Sequence, residues 1–195
     1  ASDVYKRQEI QERGKISSIV HYHNSYFVGF LMDGILLLEK QKETDHYQIQ
    51  SLPINSGVFC LKKDRFQDVV WIGTDGQGVY LYSNPLYSIK SMVLSNYTEK
   101  IERPVRAIYL DDERTFWVGT KGNGILKIYD YEFDKNISDC RAEVLTTSNS
   151  ALSSNAVYCF AKSHRNLLWI GDEEGLTYYS CLLYTSPSPR DMRRS

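Results

Sequence analysis

Three stretches of this chain repeat one another: WIGTDGQG from Trp71, WVGTKGNG from Trp117 and WIGDEEG from Trp169. Repetition constrains the fold more than any other feature of the sequence. A unit written several times is one that cannot bury its own faces and does so by stacking on its neighbours. Alignment outward from the tryptophans gives units over residues 57–83, 104–130 and 156–180. A degenerate copy over 18–40 precedes them, with Phe27 in the tryptophan's place. The motif positions are spaced by 44, 46 and 52 residues, the period of propeller blades rather than of helical hairpins.

Each unit opens with an apolar run such as Val58 to Leu61, which suits a strand covered on both sides. A polar turn follows, then the Trp strand, a Gly-rich turn and a third run such as VYLYS or ILKIY. Asp33-Gly34, Asp75-Gly76 and Asn123-Gly124 read as tight-hairpin dipeptides, since Gly accepts positive φ without a Cβ clash. Between units, HYQIQSL, SIKSMVL and RAEVL mix polar and apolar residues, as expected of an outer strand partly in water. The expectation is an all-β chain of propeller blades, each of four antiparallel strands, with about four blades in all. The repeated aromatic could be a carbohydrate-stacking platform, but its place at a strand centre in every copy favours a filler between blades.

The two ends stand apart. ASDVYKRQ at the start and CLLYTSPSPRD near the finish resemble peptides that arise when a sequencing adapter is translated along with a gene. Residues 1–8 and 181–195 are therefore set aside as adapter-like tails, and residues 9–180 are taken as the partial propeller. Setting them aside removes five basic and two acidic residues from the chain's 23 and 24. The body keeps 18 against 22, a net charge of −4. A mildly acidic body without a Lys/Arg cluster is a poor match to phosphate backbones, so no nucleic acid is expected as a partner. No run of about 18 apolar residues occurs, so no membrane-spanning helix is expected within it. Cys60 and Cys159 hold the place that Ala107 fills in the intervening unit, and both are expected as buried free thiols. Cys140 has no evident mate.

The motifs VVWIGTDGQGVYLYS, TFWVGTKGNGILKIYD and LLWIGDEEGLTYYS resemble the two-component regulator propeller repeat, over about residues 16–180. The chain departs from that pattern at YFVGF in the first unit and at Asp172, which stands where the motif has Thr. In that family, common in gut Bacteroidetes, such repeats form seven-bladed propellers in the periplasmic sensor of hybrid two-component regulators. The resemblance implies about four blades of a seven-bladed ring, in a membrane-anchored, homodimeric parent. That parent would recognise glycan-derived oligosaccharides and signal to a cytoplasmic histidine kinase. A propeller polysaccharide lyase or glycosidase and a protein-interaction scaffold are the alternatives.

In propellers, the loops joining the second and third strands share one face with those joining consecutive blades. Here they offer Asp75, Gln77, Lys121, Asn123, Asp172 and Glu173, with Asn55, Arg103 and Asn155 ahead of the inner strands. Planar amides, acids and an Arg fork suit sugar hydroxyls or uronate carboxylates, and ordinary turn chemistry is the competing reading for each. No catalytic residue, metal or cofactor is expected. His21 and His23 fall on one face of a strand but lack a third ligand. Gly73, Gly76 and Gly78 lead into a strand and not into the helix a phosphate cradle needs. The carboxylates Asp111, Asp112, Glu113, Asp172, Glu173 and Glu174 read as solvating turn residues. An incomplete ring leaves two blade faces uncovered, and Leu36, Leu38, Leu176 and Tyr178 are expected to line them.

Overall fold

A computed structural model of the chain describes residues 10–41, 46–83, 88–92, 103–111, 114–131, 139–163 and 167–180. Both adapter-like tails lie outside the described residues. Strands β1 (Ile16–Tyr22), β2 (Ser25–Phe30), β3 (Ile35–Lys40) and β4 (Tyr47–Ser51) form the first sheet. The second holds β5 (Val58–Lys63), β6 (Val69–Thr74), β7 (Val79–Ser83) and β8 (Ser88–Met92). The third holds β9 (Val105–Leu110), β10 (Phe116–Thr120), β11 (Ile125–Ile128) and β12 (Ala142–Leu145). The fourth holds β13 (Val157–Lys162), β14 (Leu167–Asp172) and β15 (Leu176–Ser180). Each sheet is an antiparallel meander in chain order, so the chain is all-β and blade-like as its periodicity requires. The fourth has three strands among the described residues.

Packing runs between sheets. The tryptophan face of one blade meets the opposite face of the next. Val69, Trp71, Val79 and Leu81 of the second blade pack with Ile108, Leu110, Phe116, Val118 and Leu126 of the third. Phe27, Ile35 and Leu37 of the first likewise meet Leu61, Val70, Ile72 and Tyr82 of the second. Tyr109, Trp117 and Ile125 of the third meet Leu168 and Ile170 of the fourth. The repeated aromatic is thus a packing residue: Phe27, Trp71 and Trp117 are at most 1% exposed.

The motif glycine explains why the blades can approach so closely. A Cβ on Gly29, Gly73 or Gly119 would lie 2.7, 2.9 or 2.8 Å from a Cγ1 of Val58, Val105 or Val157, the first residue of the next blade's innermost strand. Real Cβ atoms do not come so near, so only glycine admits this peg. At Gly171 a Cβ would meet only its own blade's Cys159.

The Gly-rich turns differ from the expected dipeptide hairpins. Four residues, and not two, separate β2 from β3, β6 from β7 and β10 from β11. Gly34, Gly76 and Gly124 do adopt positive φ, but Asp33, Asp75 and Asn123 do not. A Thr hydroxyl closes the loop in two blades, Thr74 donating to Gly78 O at 2.7 Å and Thr120 to Gly124 O at 2.9 Å. Gly124 combines φ +74° with a site where a Cβ would lie 2.0 Å from Leu145 O, so no side chain fits there.

Asp64, and Asp111, which was expected in water, have structural work. Asp64 accepts the Trp71 indole N–H at 2.8 Å and the backbone N–H groups of Phe66 and Gln67. Asp111 accepts the Trp117 indole N–H at 3.1 Å and Thr115 N–H at 2.8 Å. Both are buried. A large indole can be buried only if its N–H finds a partner, and the acid ending the innermost strand provides one while closing the turn.

Other expectations are corrected. Cys159 is exposed, whereas Cys60 in the same place lies under Val105 of the next blade, and burial pushes its thiol up to about 12. Leu36 is fully buried, because Val28, Phe30 and Leu36 are covered by Ile10 from a single helical turn at 10–12 and by Ile49. Leu176 and Tyr178, by contrast, are exposed as expected, at 68% and 59%. His23 is not on the strand with His21; it sits in the following turn at φ +51°, where Nε2 lies 2.8 and 2.9 Å from the Asp68 carboxylate oxygens.

Candidate functional site

The loop after each blade's second strand is tied by one backbone bond to the segment entering that blade's innermost strand. Leu31 N–H donates to Lys15 O at 3.0 Å, Asp75 to Gly57 at 2.8 Å, Lys121 to Pro104 at 2.9 Å and Glu173 to Ala156 at 3.0 Å. Four identical ties bring the two loop classes to one end of the blade array.

The candidates, the exposed Asn55 among them, all fall at this end, but they are not equally available. Asp75 is exposed; its backbone is fixed by Gly57 and by the Ser56 hydroxyl, which donates to Asp75 O at 2.8 Å. Gln77 is exposed and accepts the Tyr80 hydroxyl at 3.3 Å. Arg103, Lys121 and Glu173 are exposed. Asn155 is occupied by the scaffold: its carbonyl takes Gly122 and Gly124 N–H, both at 2.9 Å, and its Oδ1 takes Thr147 N–H. These bonds bring Lys121, Asn123 and Asn155 together across the joint between the third and fourth blades. Among the described residues, Asn123 Oδ1 in that group is buried without a hydrogen-bond partner.

Asp172 is the least available of them. Its carboxylate accepts N–H groups from Ser153, Glu174 and Gly175 and the Ser153 hydroxyl at 2.7 Å. Burial alone would raise its pKa, but the Ser153 bond and the backbone donors outweigh this and hold it below the ordinary 3.8. In place of the Thr of the second and third blades, it closes a loop one residue shorter.

The opposite end carries a small cavity of about 150 Å³ lined by Tyr22, His23, Asn24, Ser25, Phe27, Leu37, Glu39 and Tyr82. Among the described residues, no group of three or more His, Cys, Asp or Glu could hold a metal ion. No helix of the described residues is long and apolar enough to cross a membrane.

One row of side chains at the innermost strands escaped the sequence reading. Each such strand carries an irregularity near its start, where one residue is skipped in the pairing with the second strand: Ser17, Phe59, Arg106 and Tyr158. The Arg106 guanidinium carbon lies 4.4 Å from the centre of the Tyr158 ring and 6.0 Å from that of Phe59. The signal in the sequence was that each follows the apolar residue that opens its strand, Ile16, Val58, Val105 or Val157.

No protein-family model and no curated protein matches the chain. Solved structures do. The extracellular domain of BT3049, described as a hybrid two-component system of B. thetaiotaomicron, matches with a TM-score of 0.67 and 26% identity. The match covers 85% of this chain and 21% of that one. The corresponding domain of BT4673 from the same organism matches at 0.63 and 20% identity, covering 84% and 21%. PorZ of Porphyromonas gingivalis, described as a surface component of the type-IX secretion system, matches at 0.63 and 16%, covering 85% and 26%. The chain thus spans about a fifth of the length of the two B. thetaiotaomicron domains. This likeness bears out the resemblance seen in the Trp-Ile-Gly-Thr motifs.

Proposed function

Because this chain carries the fold of the extracellular domains of hybrid two-component systems, we propose that it is a non-catalytic part of a sensory input domain. In this reading it belongs to a membrane-anchored, homodimeric regulator, lies in the periplasm, and recognises glycan-derived oligosaccharides on behalf of a histidine kinase. The observation that carries the reading is the match to BT3049 over 85% of the chain, together with the three motif copies. The loop end adds support. Asp75, Gln77, Arg103, Lys121 and Glu173 present amide, acid and cationic groups to solvent on a rigid frame, the inventory that sugar hydroxyls require. The fate of the buried carboxylates also argues against glycosidase work. Asp64, Asp111 and Asp172 are engaged by indole, hydroxyl and backbone donors, whereas a glycosidase needs two carboxyl groups facing one bond.

The test is calorimetry of the natural-length protein against a panel of oligosaccharides, with chromatography of the mixture afterwards. Saturable binding with the sugars recovered unchanged is expected. Steady release of shortened or unsaturated sugars would replace the sensor by an enzyme.

A further inference from the structure

The row formed by Phe59, Arg106 and Tyr158 places a cation where the described residues give it no counter-charge. Innermost strands have a free edge, since each pairs on one side only, with its blade's second strand. The skipped residues of three successive strands come together along these edges, as the ring contacts of Arg106 with Phe59 and Tyr158 show. Among the described residues the Arg106 guanidinium makes no hydrogen bond and no ion pair, and its Nη1 is buried without a partner. Leaving a guanidinium partly desolvated and unpaired is costly, so such a group marks the place where an anion completes the arrangement.

The neighbours restrict which anion. Tyr158 is 45% exposed, so its ring presents a face to whatever approaches the guanidinium. An Arg fork binds a carboxylate through two parallel N–H bonds, and an exposed aromatic face next to it suits the C–H face of a pyranose. Tyr158 also follows Val157, at the same end as the candidate loops, so Arg106 and Asn155 border one region.

We propose that Arg106, stacked between Phe59 and Tyr158 on the free edges of the innermost strands, anchors the carboxylate of a uronic-acid-containing saccharide, with Tyr158 as the stacking face for its sugar ring. This rests on the reading of the chain as a saccharide-binding input domain and gives that reading a ligand class.

The test is calorimetry of the natural-length protein with two probes, digalacturonate and its neutral counterpart galactobiose. The variants are Arg106→Gln, Arg106→Lys and Tyr158→Ala, each checked by circular dichroism for unchanged β-structure. Digalacturonate should bind at least about tenfold more tightly than galactobiose, with the difference shrinking as salt is raised. Arg106→Gln should abolish that preference, Arg106→Lys should keep a fraction of it because charge survives without the fork, and Tyr158→Ala should weaken both probes. Equal affinity for the two probes, or a uronate preference that survives Arg106→Gln, overturns the assignment. So does an Arg106 guanidinium bonded to a carboxylate elsewhere in the natural-length protein. Binding of both probes that is indifferent to Arg106 removes this proposal and leaves saccharide sensing standing. Conversion of either probe to products removes the sensor reading, while the dependence of binding on Arg106 still decides the anchor.

Discussion

Lys127 offers a quantitative test of how the blades are held together. It occupies a place that Leu37 and Leu81 fill in earlier blades, beside the motif aromatic, and is 6% exposed. Its ammonium lies 4.7, 4.4 and 4.5 Å from the ring centres of Trp117, Tyr129 and Tyr179, and it donates to the Tyr179 hydroxyl at 3.0 Å. Glu143, whose carboxylate accepts the Tyr129 hydroxyl, stands 3.6 Å away. Tyr179 belongs to the fourth blade, so the ammonium bridges two blades. Burial alone would lower the Lys127 pKa, but the hydroxyls and charges of Tyr129 and Tyr179 overcome it and raise the pKa above 10.5. That direction means the cage holds the charged form better than water does, so a neutral replacement should lose stability.

For Lys127→Met, one hydrogen bond is worth about 1 kcal/mol. Ring contacts contribute about 0.5–1 kcal/mol each. Relief of the ammonium's desolvation offsets part of the loss. The net cost should be about 1–2 kcal/mol. Lys127→Ala also forfeits stem packing at about 0.8 kcal/mol per methylene and should cost about 3–5 kcal/mol. A group whose pKa is raised by folding contributes stability that is complete below its unfolded pKa and fades as pH rises through the folded one. The gap between native protein and Lys127→Met should therefore be constant near neutrality and narrow above pH 10.5. Urea denaturation followed by tryptophan fluorescence reads this where Trp117 itself reports. A Met variant as stable as the native protein at neutral pH, or a gap that does not change up to about pH 12, would refute the reasoning.

Asp111→Ala should cost about 2–3 kcal/mol, since it leaves the buried Trp117 indole N–H and Thr115 N–H without acceptors. Asp64→Ala should behave alike, with both read by urea melts. With a thiol reagent at pH 8, Cys159 should react within the mixing time or shortly after and Cys60 only on unfolding; equal rates would contradict the blade order. Residues 9–180 alone should self-associate in sedimentation through the exposed fourth-blade face, and Leu176→Lys with Tyr178→Glu should reduce this, whereas a monodisperse unaltered fragment would show that the face is not adhesive.

What could be read from the sequence followed from what each repeat decides for itself. The Trp strand, the glycine and the blade period recur because every unit buries the same positions. Properties that depend on a neighbour could not be read in this way. Cys60 and Cys159 are interchangeable as letters, yet Val105 covers one and no described residue covers the other. Leu36 was expected on an open face because the turn at 10–12 has no counterpart in the other units. Asp64 and Asp111 looked like turn acids, although each precedes its tryptophan by a similar interval, seven and six residues, and that offset was the available signal. His23 was misplaced because a positive φ at a non-glycine residue takes it out of the strand's alternation. Among the candidate site residues, chemistry types were legible but availability was not, since Asn155 and Asp172 spend their acceptors on local backbone.

The glycine that receives a valine from the following blade gives the three described joints the same lock and the same key. A unit inserted or deleted as a whole therefore leaves its flanking units facing the same glycine and valine, and only a joint-specific pair such as Lys127 with Tyr179 has to be matched again. Blade number can then change by duplication or loss of one gene segment at small thermodynamic risk. A substitution of the glycine, by contrast, damages a joint that no other part of the unit can repair, so length in such a lineage is freer to drift than that one position.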